Sequence, residues 1–146
     1  MTQQKGANDR VDPKPIDSSN RQALVGLRVL VVEDNHLIAT ELRRMLDDLK
    51  CPVIDIASQL SEATALAQSA AIDGALLDLN LAGRQTYPVA DILRERGIPL
   101  IIMSGYDASY LREDYADAAH LQKPFDCDEL ATMMLRTFGP AVGQHD

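Results

Sequence analysis

The sequence has few of the features that mark a secreted, membrane-bound or disulfide-stabilised protein. Its two cysteines, Cys51 and Cys127, stand far apart, without the paired spacing of a metal site or a disulfide framework. No apolar stretch approaches the ~18 residues that a membrane-spanning helix requires. The start of the chain, residues 1–6, lacks the apolar core of a signal peptide. We therefore expect a cytoplasmic protein with free thiols and no membrane contact.

Basic residues are also scarce. The chain carries 14 Lys and Arg against 22 Asp and Glu, which gives a net charge of −8 at pH 7. Such a chain repels the phosphate backbone of nucleic acids, so direct nucleic-acid binding is not expected. The 146 residues, of which 46% are hydrophobic and 25% charged, are enough for one soluble domain with a sizeable core.

The two ends of the chain differ in pattern from its middle. Residues 1–26 are polar, contain two prolines and show neither helical nor strand periodicity, which predicts a mobile N-terminal extension. Within it, only a weak helical signal occurs, near residues 20–25. We expect the folded domain to span residues 27–139 and a short C-terminal tail to follow at 140–146.

Between the two ends, short apolar runs alternate with amphipathic segments. The predicted strands are 29–32, 53–57, 75–78, 99–103 and 119–122. The predicted helices are 35–50, 60–69, 87–96 and 126–138, with at best a short polar helix within 108–116. Strands that alternate with helices imply right-handed crossovers and a parallel sheet covered on both faces. The expected fold is therefore a doubly wound α/β fold, flavodoxin-like, with strand order 2-1-3-4-5.

Polar residues follow four of these strands at the point where each ends. Glu33 and Asp34 follow the first strand, Asp78 ends the third, Ser104 follows the fourth and Lys123 the fifth. In the order 2-1-3-4-5 the first and third strands are neighbours, so three carboxylates share one pocket. Clustered acids repel unless a cation neutralises them, and oxygen ligands suit Mg²⁺. With a lysine to balance charge and a serine to donate a hydrogen bond, the site is suited to hold a phosphoryl group.

These fragments, in their order and spacing, resemble the receiver domain of two-component response regulators. The matching motifs are Val-Val-Glu-Asp at 31–34, Leu-Asp at 77–78, Met-Ser-Gly at 103–105 and Gln-Lys-Pro-Phe at 122–125. The resemblance spans about residues 27–139, which is essentially the whole predicted domain.

The resemblance implies a magnesium site and its ligands. Glu33 and Asp34 correspond to the acids that bind Mg²⁺ in receivers, together with the carboxylate of Asp78. The backbone carbonyl of Asn80 corresponds to a further ligand of the ion.

The resemblance also implies a phosphoryl transfer reaction. Asp78 corresponds to the phosphoacceptor, which attacks a phosphohistidine of a sensor histidine kinase or a histidine phosphotransfer protein. Ser104 corresponds to the hydroxyl that follows the phosphoryl group, and Lys123 to its ion-pair partner.

Two departures from the receiver pattern point to a subgroup. His120 stands three residues before the lysine, where receivers usually carry a switching Tyr or Phe, and the stretch 78–83 lacks the usual proline. Both departures, with Tyr106 shortly after the fourth strand, resemble the stand-alone FAT GUY subgroup of alphaproteobacterial receivers. Tyr106 then holds the switch position, although Ile102 and Met103 replace the first letters of the subgroup's motif.

Simpler roles for some of these residues stay open at this stage. Ser104 is also suited to cap the turn that follows it. Tyr106 could be an ordinary half-exposed aromatic, and His120 is more often a hydrogen-bonded strand residue than a pH sensor or switch. His36 corresponds to a surface residue at a helix start.

The leading hypothesis is a single-domain response regulator that signals through protein–protein contacts, because the chain ends at Asp146, soon after the last helix. A phosphate shuttle or sink between kinases uses the same chemistry. A Mg²⁺-dependent phosphotransfer enzyme is a further alternative, but Asn80 stands where a phosphatase would carry a second catalytic Asp. The last alternative is a pseudo-receiver that binds partners without phosphate. The downstream protein and dimerisation on phosphorylation stay open.

Overall fold

The computed structural model describes residues 18–138. Its strands are β1 (Val29–Val32), β2 (Val53–Ala57), β3 (Gly74–Asp78), β4 (Asn80–Leu81), β5 (Arg84–Gln85), β6 (Leu100–Ser104) and β7 (Ala119–Gln122). Five of them form one parallel sheet in the order β2-β1-β3-β6-β7, and β4 and β5 form a separate hairpin. Since β6 and β7 are the fourth and fifth strands of the prediction, the order 2-1-3-4-5 and the flavodoxin-like α/β fold are confirmed.

Helices cover both faces of the sheet. They are α1 (Ser18–Gln22), α2 (His36–Asp48), α3 (Leu60–Ser69), α4 (Tyr87–Glu95) and α5 (Cys127–Thr137). The side chain of Asn35 caps α2 by accepting from the backbone N–H groups of Leu37 and Ile38. At the start of α5, Asp126 and Glu129 form the reciprocal capping box that their spacing predicts. Among the described residues, no helix is long and apolar enough to cross a membrane.

The core consists of two apolar layers that the central strands separate. All four residues of β1 are buried, with Leu30 and Val32 packing in one layer and Val29 and Val31 in the other. Because successive side chains of a strand point to opposite faces, a run that is apolar throughout is typical of a strand with helices on both sides. The burial holds β1 rigidly between β2 and β3 and so fixes the acid residues that follow it.

The segment before β1 differs from the prediction. Residues 1–17 and the predicted tail at 140–146 lie outside the described residues, but residues 18–26 form α1 and a turn that pack on the domain. Leu24 is fully buried in the core layer beneath α2 and α5, and the N–H of Gly26 donates to the carbonyl of Lys50 at 2.8 Å. One buried leucine in a polar stretch carries no periodicity, which is why the sequence did not reveal this contribution to the core.

The segment 108–116, predicted to form at best a short polar helix, contains two short 3₁₀ turns, Ala108–Tyr110 and Glu113–Tyr115, and no α-helix. The carboxylate of Asp107 accepts from the N–H of Ser109 and starts the first turn, and Leu111 between the two turns is extended. The stretch lacks the apolar stripe that would hold a longer helix against the sheet.

The far end of this segment is fastened to α4 by aromatic and charged side chains. Tyr115 is fully buried, its hydroxyl donates to Asp91 at 2.7 Å, and the guanidinium of Arg94 lies 3.7 Å from its ring centre. The hydroxyl of Tyr87 accepts from the backbone N–H of Arg112 at 2.7 Å, and the Arg112 guanidinium covers the Tyr87 ring. These contacts fix the second 3₁₀ turn, whereas the first turn carries the exposed Tyr110.

Packing of the last helix against β3 gives a test of the core. The ring of Phe138 lies over Gly74 so closely that a Cβ at this position would stand 2.8 Å from three ring atoms. We predict that Gly74→Ala lowers the free energy of unfolding by about 1–3 kcal/mol, because Phe138 is fully buried and has little room to shift. Urea unfolding measures the effect. Gly105→Ala is the matched control, since nothing lies within 4 Å of its added Cβ; equal stability of both variants would contradict this packing.

Candidate metal and phosphoryl site

Three carboxylates meet at the carboxyl ends of β1 and β3. These strands pair side by side, with Val32 opposite Leu77, so the acids that follow them are neighbours. One oxygen from each of Glu33, Asp34 and Asp78 lies within 4.8 Å of the others. Glu33 is 1% exposed and Asp78 is 7% exposed, whereas Asp34 faces solvent. The structure therefore brings together the three acids that the sequence placed in one pocket.

Lys123 joins two of these acids. Its Nζ lies 3.1 Å from Oε1 of Glu33 and 3.4 Å from Oδ2 of Asp78. The backbone N–H of Lys123 donates to the carbonyl of Ser104 at 2.8 Å, which continues the pairing of β6 with β7 one residue beyond the strand end. The ammonium thus lies between two nearly buried carboxylates and offsets part of their mutual repulsion.

The stretch after Asp78 folds into a small hairpin that supports the acids. Its strands are β4 (Asn80–Leu81) and β5 (Arg84–Gln85), and its tip has positive φ at Ala82 (51°) and Gly83 (84°). The tip directs the N–H of Ala82 to Oδ2 of Asp34 at 2.9 Å, and the N–H of Asn80 lies 3.3 Å from Oδ1 of Asp78. Strands of two residues are too short to show an alternating pattern, so this hairpin was not predicted from the sequence.

Thr86 supports the backbone of Asp78 and is not among the site residues predicted from the sequence. Its side chain is 1% exposed, and its hydroxyl donates to the backbone carbonyl of Asp78 at 2.8 Å. Its backbone N–H donates to the carbonyl of Leu79 at 3.0 Å, which closes the base of the hairpin. A threonine among polar residues gives no signal of burial, so only the fold reveals this contact.

The environment of Glu33 disfavours its charged form. Burial, followed by the nearby negative charge of Asp78, raises the pKa of Glu33 to about 7. Lys123 and the backbone N–H of Asn35, which donates to Oε2 at 3.1 Å, act in the opposite direction. The site therefore binds a proton more readily than an exposed glutamate does, and a cation that binds there displaces it.

The hydroxyl of Ser104 is engaged away from Asp78. Ser104 is 4% exposed, and its Oγ lies 2.8 Å from the carbonyl of Tyr106, 3.2 Å from the Tyr106 N–H and 2.8 Å from Nε2 of His120. Ser104 thus caps the turn that follows β6, as its simpler interpretation expects. Its contact with His120 was not predicted, because the two residues are brought together only by the pairing of β6 with β7.

The other candidate site residues lie around Ser104 or at the edge of the acid pocket. Tyr106 is 58% exposed and stacks on Tyr110, with 4.6 Å between the ring centres. His120 is half-buried; burial lowers its pKa, and the carboxylate of Asp107 opposes this effect. His36 is exposed at the first position of α2, as expected of a helix-start residue.

Several known proteins resemble this chain in sequence or in fold. The chain is 29% identical over 117 residues to the transcriptional regulatory protein PdtaR of Mycobacterium tuberculosis, covering 77% of this chain and 57% of that protein. The solution structure of SdrG from Sphingomonas melonis Fr1 has a TM-score of 0.65 and 33% identity, covering 77% of this chain and 98% of that one. The response regulator PhyR from Brucella abortus has a TM-score of 0.71 and 25% identity, covering 83% of this chain and 51% of that one.

The fold and the cluster of acids with a lysine define a receiver of two-component signalling systems. The chain belongs to the response regulator receiver domain family, whose family model matches residues 29–135. It spans 57% of PdtaR and 51% of the PhyR chain, so the likeness to those proteins concerns one part of each.

The raised pKa of Glu33 has a consequence for stability. In the folded state the pKa of Glu33 is about 7, whereas in the unfolded chain it is near its ordinary value of 4.5. Between these two pH values Glu33 is protonated in the folded state and ionised in the unfolded chain. The folded state therefore binds more protons in this window, and the free energy of unfolding falls as the pH rises through it. We predict that, in the presence of a metal chelator, Glu33→Gln removes most of this fall between about pH 5 and about pH 8.

Chemical denaturation at several pH values measures the slope. Glu95→Gln, which changes an exposed acid at the end of α4, is the control and should keep the slope of the wild type. An unchanged pH dependence in Glu33→Gln would show that the proton is held elsewhere.

Proposed function

We propose that this protein accepts a phosphoryl group on Asp78 from a histidine kinase or a histidine phosphotransfer protein and signals through protein–protein contacts. The observation that carries the proposal is the placement of a nearly buried Asp78 beside an acid pair and 3.4 Å from the ammonium of Lys123. Membership of the receiver family supports the same role.

The donor set suits Mg²⁺. Glu33, Asp34 and Asp78 provide carboxylate oxygens close together. By correspondence with other receivers, the backbone carbonyl of Asn80 would be a further oxygen ligand. Hard oxygen donors, with one acid facing solvent, match the preference of Mg²⁺ for carboxylates and retained waters. When bound, the ion neutralises charge on the acids and on the transferring phosphoryl group.

The residues of the chain then have distinct tasks. An oxygen of the Asp78 carboxylate forms the new bond to phosphorus while the bond from phosphorus to the donor imidazole nitrogen breaks, and the imidazole leaves with that electron pair. Lys123 pairs with Asp78 in the resting state and with a phosphoryl oxygen afterwards. Ser104 donates its hydroxyl proton to another phosphoryl oxygen, which requires it to leave its present partners.

An apolar groove beside the site is suited to receive the phosphodonor protein. It has a volume of 280 Å³ and lies between α2 and the stretch after β7, with Ile38, Leu42 and Phe125 among its lining residues. Leu37, on the rim, is 78% exposed, which is unusual for a leucine so close to a polar site. Exposed apolar surface next to reactive groups is typical of a protein interaction site.

Signalling would use the segment that follows Ser104. Residues 105–111 carry the exposed Tyr106 and Tyr110, and their start is bonded to the Ser104 hydroxyl. A serine that moves towards a phosphoryl group withdraws this support and changes the surface that a downstream protein meets.

The acceptor is tested by mass spectrometry of the intact protein after incubation with Mg²⁺ and acetyl phosphate. We expect wild type to gain one phosphoryl group and Asp78→Asn to gain none, because an amide oxygen is a poor nucleophile. Asp117→Asn, a change at an exposed acid, is the control and should be labelled like wild type. Labelling of Asp78→Asn to the extent of wild type would refute Asp78 as the acceptor.

Phosphorylation and turnover assays separate the alternative functions. A phosphate-independent pseudo-receiver gains no mass from a small donor or from a phosphohistidine protein. A phosphotransfer enzyme turns over a phosphomonoester many times, whereas a shuttle returns its phosphoryl group to a phosphotransfer protein.

The groove is tested by comparing two donors. We predict that Leu37→Asp slows phosphorylation by a phosphohistidine protein at least about tenfold, which corresponds to ~1.4 kcal/mol of binding energy. Phosphorylation by acetyl phosphate should slow much less, because a small donor needs no docking surface. Radiolabelled transfer assays measure both rates, and Glu95→Gln serves as the surface control. Equal slowing with both donors would show that Leu37 acts on the site itself.

A further inference from the structure

The Ser104 hydroxyl is saturated with hydrogen bonds in the resting protein. A hydroxyl has one proton to donate and two lone pairs to accept with. The carbonyl of Tyr106, 2.8 Å away, can only accept, so it takes the serine proton, and the N–H of Tyr106 donates in return. Nε2 of His120 at 2.8 Å must then donate as well, which assigns a proton to that nitrogen.

Capture of a phosphoryl group breaks this arrangement. This step rests on the proposed function, in which Ser104 turns towards a phosphoryl group on Asp78. The single hydroxyl proton cannot serve the Tyr106 carbonyl and a phosphoryl oxygen at once. When Ser104 leaves, the Nε2–H of His120 loses its acceptor, and a half-buried N–H without a partner is costly. We expect the imidazole then to turn to solvent, where water accepts from its N–H.

We propose that His120 is a positioning residue that holds the Ser104 hydroxyl away from Asp78, and that its release to solvent makes the phosphorylated conformation more favourable as the pH falls. This role differs from that of an aromatic side chain that fills space, because the contact is a hydrogen bond and the group that makes it can take up a proton.

The direction of the pH effect follows from the surroundings of the imidazole. In β7, His120 pairs with Ile102 of β6, which is buried and apolar, and burial lowers the pKa of His120. The carboxylate of Asp107, from the segment after β6, is the charged group that acts on the imidazole and works against burial. An imidazole in solvent returns towards its ordinary pKa of about 6.5. The released state thus binds the proton more tightly, so acid favours it.

The first experiment follows His120 by NMR. The Nε2-protonated tautomer is expected in the resting protein, assigned by loss of its signals in His120→Phe. On addition of Mg²⁺ and beryllofluoride, which takes the place of a phosphoryl group on an aspartate, the pKa of His120 should rise. An unchanged pKa and tautomer in a protein that binds beryllofluoride would overturn the role of His120.

The second experiment measures the phosphorylated fraction at a subsaturating concentration of acetyl phosphate from about pH 6 to about pH 8. His120→Gln keeps an N–H donor near the position of Nε2 but cannot titrate, and so reports every other pH effect of the site. Relative to it, wild type should gain phosphorylated fraction at the acid end, by up to about tenfold in the equilibrium per unit of pKa difference. His120→Phe, which removes the bond, should exceed His120→Gln at every pH.

The outcomes separate this proposal from the one on which it rests. If wild type and both variants stay unphosphorylated and bind no beryllofluoride, the proposed function fails and this role falls with it. If all three are phosphorylated with the same pH profile, Asp78 remains the acceptor and the role of His120 alone is refuted.

Discussion

The contact between Lys123 and the two nearly buried acids, Glu33 and Asp78, is the interaction on which the rest of the site depends. Adjacent parallel strands deliver both carboxylates to the same edge of the sheet, where burial strengthens their repulsion. The lysine reaches them from the last strand of the sheet, so the charge balance requires β7 to be paired with β6. The site thus requires the pairing of β1, β3, β6 and β7.

The remaining supports of the site are uncharged donors, mostly backbone N–H groups. The hairpin after Asp78 directs one N–H to Asp34 and another to Asp78, and Thr86 holds the carbonyl of Asp78 from below. Backbone donors satisfy carboxylates without adding positive charge. The pocket therefore keeps a net negative potential, which suits the binding of a divalent cation.

The sequence predicted the sheet and the position of the site acids well, because both depend on strong local patterns. A run such as Val29–Val32 that ends in two acids admits few interpretations, and short connections leave only one handedness for each crossover. Features that depend on single contacts escaped prediction. Leu24 gives a polar segment its place in the core, and the pairing of β6 with β7 alone brings Ser104 to His120. At best a short polar helix was expected at 108–116, and the acidic stretch around Glu113, which lacks an apolar face, forms a 3₁₀ turn.

Because Tyr115 is held against α4, the segment after β6 is fixed at its far end. Its near end begins at Ser104, inside the site, and its far end is held by buried rings and ion pairs. Under the proposed function, a movement of Ser104 would displace residues 105–111 most and the residues held beside Tyr115 least. A partner that contacts residues 105–111 would then distinguish the two states of the site, whereas a partner that binds at 112–118 would meet the same surface in both.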